Sequence, residues 1–301
     1  MWFKNIHFYR FEEPFAMNGQ QLHEALAKRQ ARACGQMEQA CEGWAKPLGH
    51  AGQLLVHETD DTLMICKRRE DKILPASMVR EKVEERVLTI EQEAGRPVGR
   101  KEKGEIKDQV LQELLPRALV RASHAYACID RRDGWLIVNA ASAKQADEMI
   151  ALLAKTLGAL NVVRPQTNVS PESAMTHWLM HDEALPPHFT LEDECELVGS
   201  GEGSSVIRCR HVEITSDEVR AHVANGKRVG KLAMNWDGHL SFVLHDDLSV
   251  RRLVFDSEVL DAAADGADDA QARFDADQAI MMAELRQFLP QLLALLAGDE
   301  A

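Results

Sequence analysis

Apolar positions along the chain repeat with two periods, and the switches between them outline its elements. Over residues 2–10, Phe3, Asn5, His7 and Tyr9 alternate with Trp2, Lys4, Ile6 and Phe8. Both parities are apolar enough to predict a strand buried on two faces. A helix is expected over 19–32, and residues 53–57 and 62–68 read as a hairpin about Thr59-Asp60-Asp61. After Pro75, Ser77 is placed to cap a helix that carries Met78, Val79, Val83, Val87 and Ile90 on one stripe to about Glu93. Ile106, Val110, Leu111, Leu114 and Leu115 mark a second helix ending near Pro116. Residues 95–104 between them hold paired breakers and four bases, and read as a mobile connection. The two helices predict an arm projecting from the hairpin unit.

Strands are expected over 124–130 and 135–140, about an Arg131-Arg132-Asp133-Gly134 turn whose Asp-Gly end is a strong hairpin signal. A helix over 143–157 and a short strand over 160–163 complete an α+β unit, and 165–171 is the best linker. The second half repeats the recipe: a helix over 175–181, strands over 189–197 and 204–211, and a helix over 216–224. Three further strands, 228–236, 240–245 and 250–255, are split by Asp237-Gly238 and Asp246-Asp247. The last helix, 278–297, turns Met281, Leu285, Phe288, Leu292 and Leu296 inward and is expected to kink at Pro290. The predicted class is α+β: two related α+β units with antiparallel sheets, plus the arm. The boundaries are 1–75 with 119–164 for the first unit, 76–118 for the arm, and 165–301 for the second unit with its acidic C-terminal helix.

Composition makes a folded protein the default reading, since 301 residues at 45% hydrophobic can bury a large core. No apolar run reaches bilayer length and no basic, then apolar leader opens the chain, so a cytoplasmic protein with no membrane partner is expected. The six cysteines form no CxxC pair and read as reduced, small core residues. Charge changes the picture more. A net −13 opposes binding to phosphates, but from Asp256 onward eleven acids face only Arg273 and Arg286, a balance of −9. The first 255 residues are left at −4 and can present a basic face, with the acidic segment expected to point outward.

Motifs for catalysis are few. Gly199-Ser200-Gly201-Glu202-Gly203 lacks a following Lys-Ser/Thr pair, Glu202 opposes an anion, and a strand follows, so a hairpin turn is expected rather than a phosphate loop. GxSxG is absent, and the twelve histidines read as surface or packing residues. No catalytic residue, metal ligand or cofactor is expected. Asp130, Asp133, Asp237, Asp246 and Asp247 sit at strand ends, where a Mg²⁺ nuclease would hold its metal, but turns are also where Asp satisfies its own backbone.

The basic residues are more telling. Arg96, Arg100, Lys101, Lys103 and Lys107 cluster on the arm, Arg117 and Arg121 flank its exit, and Arg131 and Arg132 mark the next turn. Arg208, Arg210 and His211 lie along one strand, with Arg208 and Arg210 sharing a face. Lys227 and Arg228 open the next strand, and Lys231 follows three residues on. Such a set suits salt-sensitive, sequence-blind phosphate contacts, or else simply a solvated charged face.

Several segments resemble the recombination-associated protein RdgC family. They are Trp2-Phe3-Lys4-Asn5 with Phe8-Tyr9-Arg10, Lys72-Ile73-Leu74-Pro75, Lys107-Asp108-Gln109-Val110-Leu111, and Leu114-Leu115-Pro116-Arg117-Ala118. Ala141-Ser142-Ala143-Lys144, Leu157-Gly158-Ala159-Leu160, Gly226-Lys227 with Lys231-Leu232-Ala233, and Arg273-Phe274-Asp275-Ala276-Asp277 continue the likeness through the whole chain. The resemblance implies a ring-shaped homodimer with a positive central hole that binds duplex DNA, and single strands less well, without sequence preference. It further implies nucleoid association and restraint of the RecA recombinase by occupation of its DNA. On this reading the protein is not an enzyme. Arg100, Lys101, Lys103, Lys107, Arg117, Arg121, Arg208, Arg210, His211, Lys227, Arg228 and Lys231 are the candidate DNA contacts.

Ring closure by a two-fold dimer needs two isologous contacts, and the arm is the natural gate, with Leu114, Leu115, Leu119 and Val120 as its candidate dimer contact. The sequence departs from the family pattern at Leu119 and Val120, where an aromatic is usual, and at Gln278, which replaces the aromatic after the Arg273–Asp277 run. Alternatives are a Mg²⁺-dependent exonuclease, a label the family has carried, and an acidic protein-interaction protein that binds no DNA.

Overall fold

The computed structural model describes residues 1–199, 205–264 and 269–297. Its strands are β1 (Asn5–Phe11), β2 (Ala40–Ala45), β3 (Val56–Thr59), β4 (Thr62–Ile73), β5 (Leu119–Asp130), β6 (Trp135–Asn139), β7 (Val162–Val163), β8 (Phe189–Val198), β9 (Val206–Arg210), β10 (Arg228–Trp236), β11 (Leu240–His245) and β12 (Val250–Phe255). Its helices are α1 (Gly19–Ala27), α2 (Ala76–Ala94), α3 (Arg100–Leu114), α4 (Ala143–Leu157), α5 (Pro171–Met180), α6 (Asp217–Ala224), α7 (Ser257–Ala264) and α8 (Ala270–Leu295). The class is α+β, as expected. All twelve strands belong to one antiparallel sheet, in the order β2-β4-β5-β6-β1-β12-β11-β10-β8-β9, with β3 on β4 and β7 on β1. Among the described residues no helix is long and apolar enough to cross a membrane.

The two halves of the sheet meet where β1 pairs with β12, through Asn5 opposite Arg251 and Ile6 opposite Val250. So short a seam needs support from outside the ladder. It comes from α8, whose Met281, Met282, Leu285, Phe288, Leu289 and Leu292 are all fully buried. They share one cluster with Phe3, Phe8, Met64, Cys128 and Ile137 of the first half and with Leu232, Phe242, Leu244 and Phe255 of the second. The opposite face of the first half packs separately on α1 and α4, through Leu22, Leu26, Met149 and Leu153.

Polar residues of α8 are matched to the sheet. Asp277 Oδ1 accepts from Trp2 Nε1 at 3.0 Å, and Gln278 Nε2 donates to Thr62 Oγ1 at 2.8 Å. Arg286 donates to both oxygens of Asp130, at 2.8 and 3.0 Å, and to Asp60 Oδ2 at 3.0 Å. The expectation that the acids from Asp256 onward point outward therefore fails at two of them. Asp277 is buried, and Asp275 pairs with His57. The helix starts at Ala270, eight residues before the expected 278, because Asp269 caps it by accepting from the N–H groups of Gln271 and Ala272.

Local chemistry explains the other departures. α1 stops at Ala27 because residues 29–31 turn alongside β2, with Trp44 N donating to Arg29 O at 2.9 Å and Ala31 N to Trp44 O at 2.8 Å. β2 itself was not anticipated, for its sequence lacks alternation. Gly43 is needed there, since a Cβ would lie 2.7 Å from the Arg29 carbonyl oxygen and the Ala31 backbone. The Asp60-Asp61 turn has both φ angles positive, 46° and 59°, the geometry of a two-residue hairpin. α2 begins at Ala76 after Pro75, whose carbonyl accepts from Val79 N, so Ser77 is not its cap. The expected mobile connection over 95–104 shrinks to 95–99. α3 already includes Gly104, and the link is fastened by Arg96–Glu102 ion pairing and by Val98 N donating to Glu91 Oε1 at 2.9 Å.

α2 and α3 make a helical hairpin with its own small core of Val79, Val83, Ile106 and Val110. It is carried on the far end of β4 and β5, which pair over twelve residues from Thr62 opposite Asp130 to Ile73 opposite Leu119. β5 begins five residues before the expected 124, and residues 119–124 are exposed throughout.

Arg286 is 8% and Asp130 0% exposed in their side chains. Removing one partner strands a buried charge, so Arg286→Ala should lower the unfolding free energy by about 3–5 kcal/mol. In denaturant titration, a loss no larger than that of the exposed-site control Arg132→Ala would contradict this role.

Candidate nucleic-acid interface

In the second half of the sheet, one parity of side chains enters the core: Cys195 and Leu197 on β8, Leu232 and Met234 on β10, Phe242 and Leu244 on β11. The other parity carries charge. Glu196 is clasped between Arg208 Nε at 2.7 Å and Lys231 Nζ at 2.7 Å. Glu194 is clasped between Arg210 Nε at 3.2 Å and Arg252 Nη2 at 2.8 Å. Four cations thus share two carboxylates, and each carboxylate fixes two flexible side chains in place. Although burial acts to raise it, the Glu196 carboxyl is held below its usual range by Arg208 and Lys231.

The sequence placed Arg208 and Arg210 on one face, and the structure agrees. It also brings Lys231 to them. Arg252 was missed because it sits at φ 51°, out of the regular alternation of β12. No local signal marks such a position. His211, expected within the strand, lies beyond its end at φ 55° and pairs with Asp193 at 3.0 Å. Lys227 Nζ donates to Ser205 Oγ at 2.6 Å, and Arg228 is exposed at the start of β10. The loop between β8 and β9, with most of the glycine-rich segment, lies outside the described residues.

The arm contributes a second set. Its nine bases and nine acids balance overall, yet they are not mixed evenly: the span 96–107 has five bases and two acids. Arg100, Lys103 and Lys107 recur at a spacing that places them on one side of α3, while Lys101 lies about 100° round the helix from Arg100. Lys103 and Lys107 line a groove with Arg80 of α2, which sequence reading did not single out. Among the described residues the arm's ion pairs are Lys82–Glu85, Arg86–Glu113 and Arg96–Glu102. Arg100, Lys101, Lys103 and Lys107 are left exposed without one. Arg117 and Arg121 are exposed at its exit, Arg121 opposite Asp71.

Of the four candidate dimer contacts, Leu115 is buried and Leu114 packs into the arm's own core. Leu119 is 77% exposed and Val120 48%, beside Ile73 at 45%. β6 pairs only with Tyr126–Asp130 of β5, so on that side the described residues leave the strand from Leu119 to Ala125 as an open edge.

The strand-end carboxylates do not converge. Asp130 is taken by Arg286 and by Arg132 N at 3.1 Å, Asp247 by Ser249 and Arg251, and Asp237 by His188. His177 near the end of α5 and His181, the residue that closes it, stand with ring centroids 5.0 Å apart, an HxxxH spacing that sequence reading failed to recognise.

Fold and surface together define an antiparallel α+β protein that carries a helical hairpin on a ribbon and a lattice of bridged cations on one sheet face. A family model described as "Putative exonuclease, RdgC" matches residues 1–299. The chain is 44% identical over 301 residues to the recombination-associated protein RdgC of Aeromonas hydrophila subsp. hydrophila, covering 100% of this chain and 99% of that one. It is 40% identical over 302 residues to the protein of the same name from Tolumonas auensis, covering 100% of both. With that from Pseudomonas syringae pv. tomato it shares 40% over 303 residues, 100% of this chain and 98% of the other. The chain belongs to the RdgC family of recombination-associated proteins.

His245 lies opposite Lys231 in the β10–β11 ladder. Burial, with Arg251 and Lys231 nearby, pushes its imidazole down to about 4. The unfolded chain takes up this proton near pH 6.5, so between about 6.5 and 4 the unfolded state binds more protons and stability falls as pH is lowered. Denaturation across that window should show a shallower pH dependence in His245→Gln. An unchanged slope, or an imidazole that titrates above pH 6 by NMR, would contradict it.

Proposed function

We propose that this protein acts in DNA recombination as a sequence-nonspecific duplex-binding protein, not as an enzyme. It closes around DNA as a ring-shaped homodimer, binds single strands less well, associates with the nucleoid, and restrains RecA by occupying the same DNA. The observation that carries this reading is the presence of two separate basic surfaces. Arg208, Arg210, Lys231 and Arg252 stand in fixed positions around Glu194 and Glu196. Arg100, Lys101, Lys103 and Lys107 stand exposed on a projecting arm, without an ion pair among the described residues. Neither surface offers a base-reading motif, so the contacts suit a regular phosphate backbone. Exposed Leu119, Val120 and Ile73 beside the open edge of β5 support self-association through the arm's base.

The two surfaces differ in a way that experiment can read. Cations on the arm are free to meet phosphate, whereas those on the sheet face keep carboxylates beside them that repel it. Lys103→Glu with Lys107→Glu should weaken binding to all sequences alike and flatten the salt dependence by about 0.9 log unit per log unit of salt for each phosphate no longer neutralised. Arg208→Glu with Arg210→Glu should do likewise, and Glu196→Gln should strengthen binding. Fluorescence anisotropy on unrelated duplexes over a salt series reads all three. Affinity equal at low and high salt, or indifferent to both reversals, would overturn the reading.

A further inference from the structure

Half of the cysteines behave as the small core residues expected, with Cys66, Cys128 and Cys195 buried, but Cys34, Cys41 and Cys209 are not. Two of these three are brought together. Between α1 and β2 the chain passes Cys34 and makes a tight turn, with Glu38 N donating to Gly35 O at 3.2 Å and Gly35 N to Glu38 Oε2 at 2.7 Å. Cys34 N is held by Glu70 Oε2 at 2.8 Å, and Cys41 lies on β2 in register with Glu70. As a result the Cys34 and Cys41 sulfurs and a Glu38 carboxylate oxygen all lie within 4.8 Å of one another. This is the only such gathering of three metal-capable side chains among the described residues.

We propose that Cys34, Cys41 and Glu38 form a binding site for a thiophilic divalent cation, of which Zn²⁺ is the type. Two sulfur donors select a soft or borderline metal over Mg²⁺ or Ca²⁺. In a tetrahedral site with Zn–S near 2.3 Å the donors stand about 3.8 Å apart, so the present cluster has to contract by about 1 Å or less. Neither sulfur is committed elsewhere. Each makes only a weak contact to a backbone carbonyl, Cys34 to Glu38 O at 3.4 Å and Cys41 to Arg32 O at 3.3 Å. Glu38 accepts two N–H groups of Arg32 and that of Gly35, which leaves one of a carboxylate's roughly four acceptor positions open.

Charge is balanced as well. Two thiolates and a carboxylate around a divalent cation leave one negative charge, and the Arg32 guanidinium stands beside them. Binding releases thiol protons, so affinity falls as pH is lowered. The cation would pin the α1–β2 loop to β2 where that strand pairs with the far end of β4, close to the base of the arm.

The test is a Co²⁺ titration of the reduced, chelator-treated full-length protein. One equivalent per chain should raise a sulfur-to-cobalt charge-transfer band that Zn²⁺ abolishes. Cys34→Ser and Cys41→Ser should each lose the band, and Glu38→Gln should weaken binding, with metal-free circular dichroism unchanged. A band that survives in the double serine variant, or no band in the wild type, overturns the proposal. Alkylation of the wild type gives a second reading that needs no variant. Zn²⁺ should protect Cys34 and Cys41 together from iodoacetamide, as read by peptide mass spectrometry, and absence of protection at either one overturns the assignment.

Discussion

The fold depends on holding two half-sheets together across a seam of two residue pairs, Asn5 with Arg251 and Ile6 with Val250. A ladder so short cannot bear the load alone. Helix α8 takes it by burying apolar side chains against both halves and by placing Arg286 on Asp130, at the end of β5. Burying that pair has a large desolvation cost, and the paired geometry is what offsets it. Asp130 also accepts from Arg132 N, so the same carboxylate orders the turn into β6. Arg286 reaches Asp60 in the neighbouring β3–β4 turn, and one guanidinium thereby ties the helix to two hairpins.

A single continuous sheet has consequences for its surfaces. In the first half α8 lies on one face and α1 with α4 on the other. In the second half the apolar parity faces α5 and α8, and the opposite parity is free to carry charge. There the acids do more than dilute the positive field. Glu194 and Glu196 hold four long cationic side chains in defined positions, which would reduce the entropy cost of the proposed contact with a regular polyanion. The arm works on another principle, with solvated, unpaired bases on a hairpin whose core is independent of the sheet. A net charge of −13 is compatible with both, since the acids that dominate the C-terminal segment are partly consumed inside the fold.

Much of this was legible in the sequence, and what was missed has physical causes. Strands β10, β11 and β12 and helix α4 begin and end where periodicity and turn residues place them. The α2–α3 hairpin is evident from its two apolar stripes. β2 escaped because Gly43 and the exposed Glu42 break its alternation, and its reason for being a strand is a close backbone approach to Arg29 and Ala31. The first two turns of α8 escaped because Asp275 and Asp277 read as part of an outward acidic segment, while their partners His57 and Trp2 lie more than two hundred residues away. Arg208 and Arg210 were visible by parity. Their sharing of carboxylates with Lys231 and Arg252 was not, since it depends on strand order and on a left-handed residue in β12. Cys34 and Cys41, with six residues between them, matched no familiar metal spacing, and only the turn at Gly35 brings them together.

The central claim is that the basic face and the arm enclose DNA rather than merely touch it. Retention on covalently closed circular duplex, compared with linear duplex of the same sequence at raised salt, measures this most directly. A closed ring stays on circles after salt has removed the phosphate contacts and slides from free ends. Equal loss from circular and linear DNA would contradict enclosure and leave only a basic surface that binds from one side.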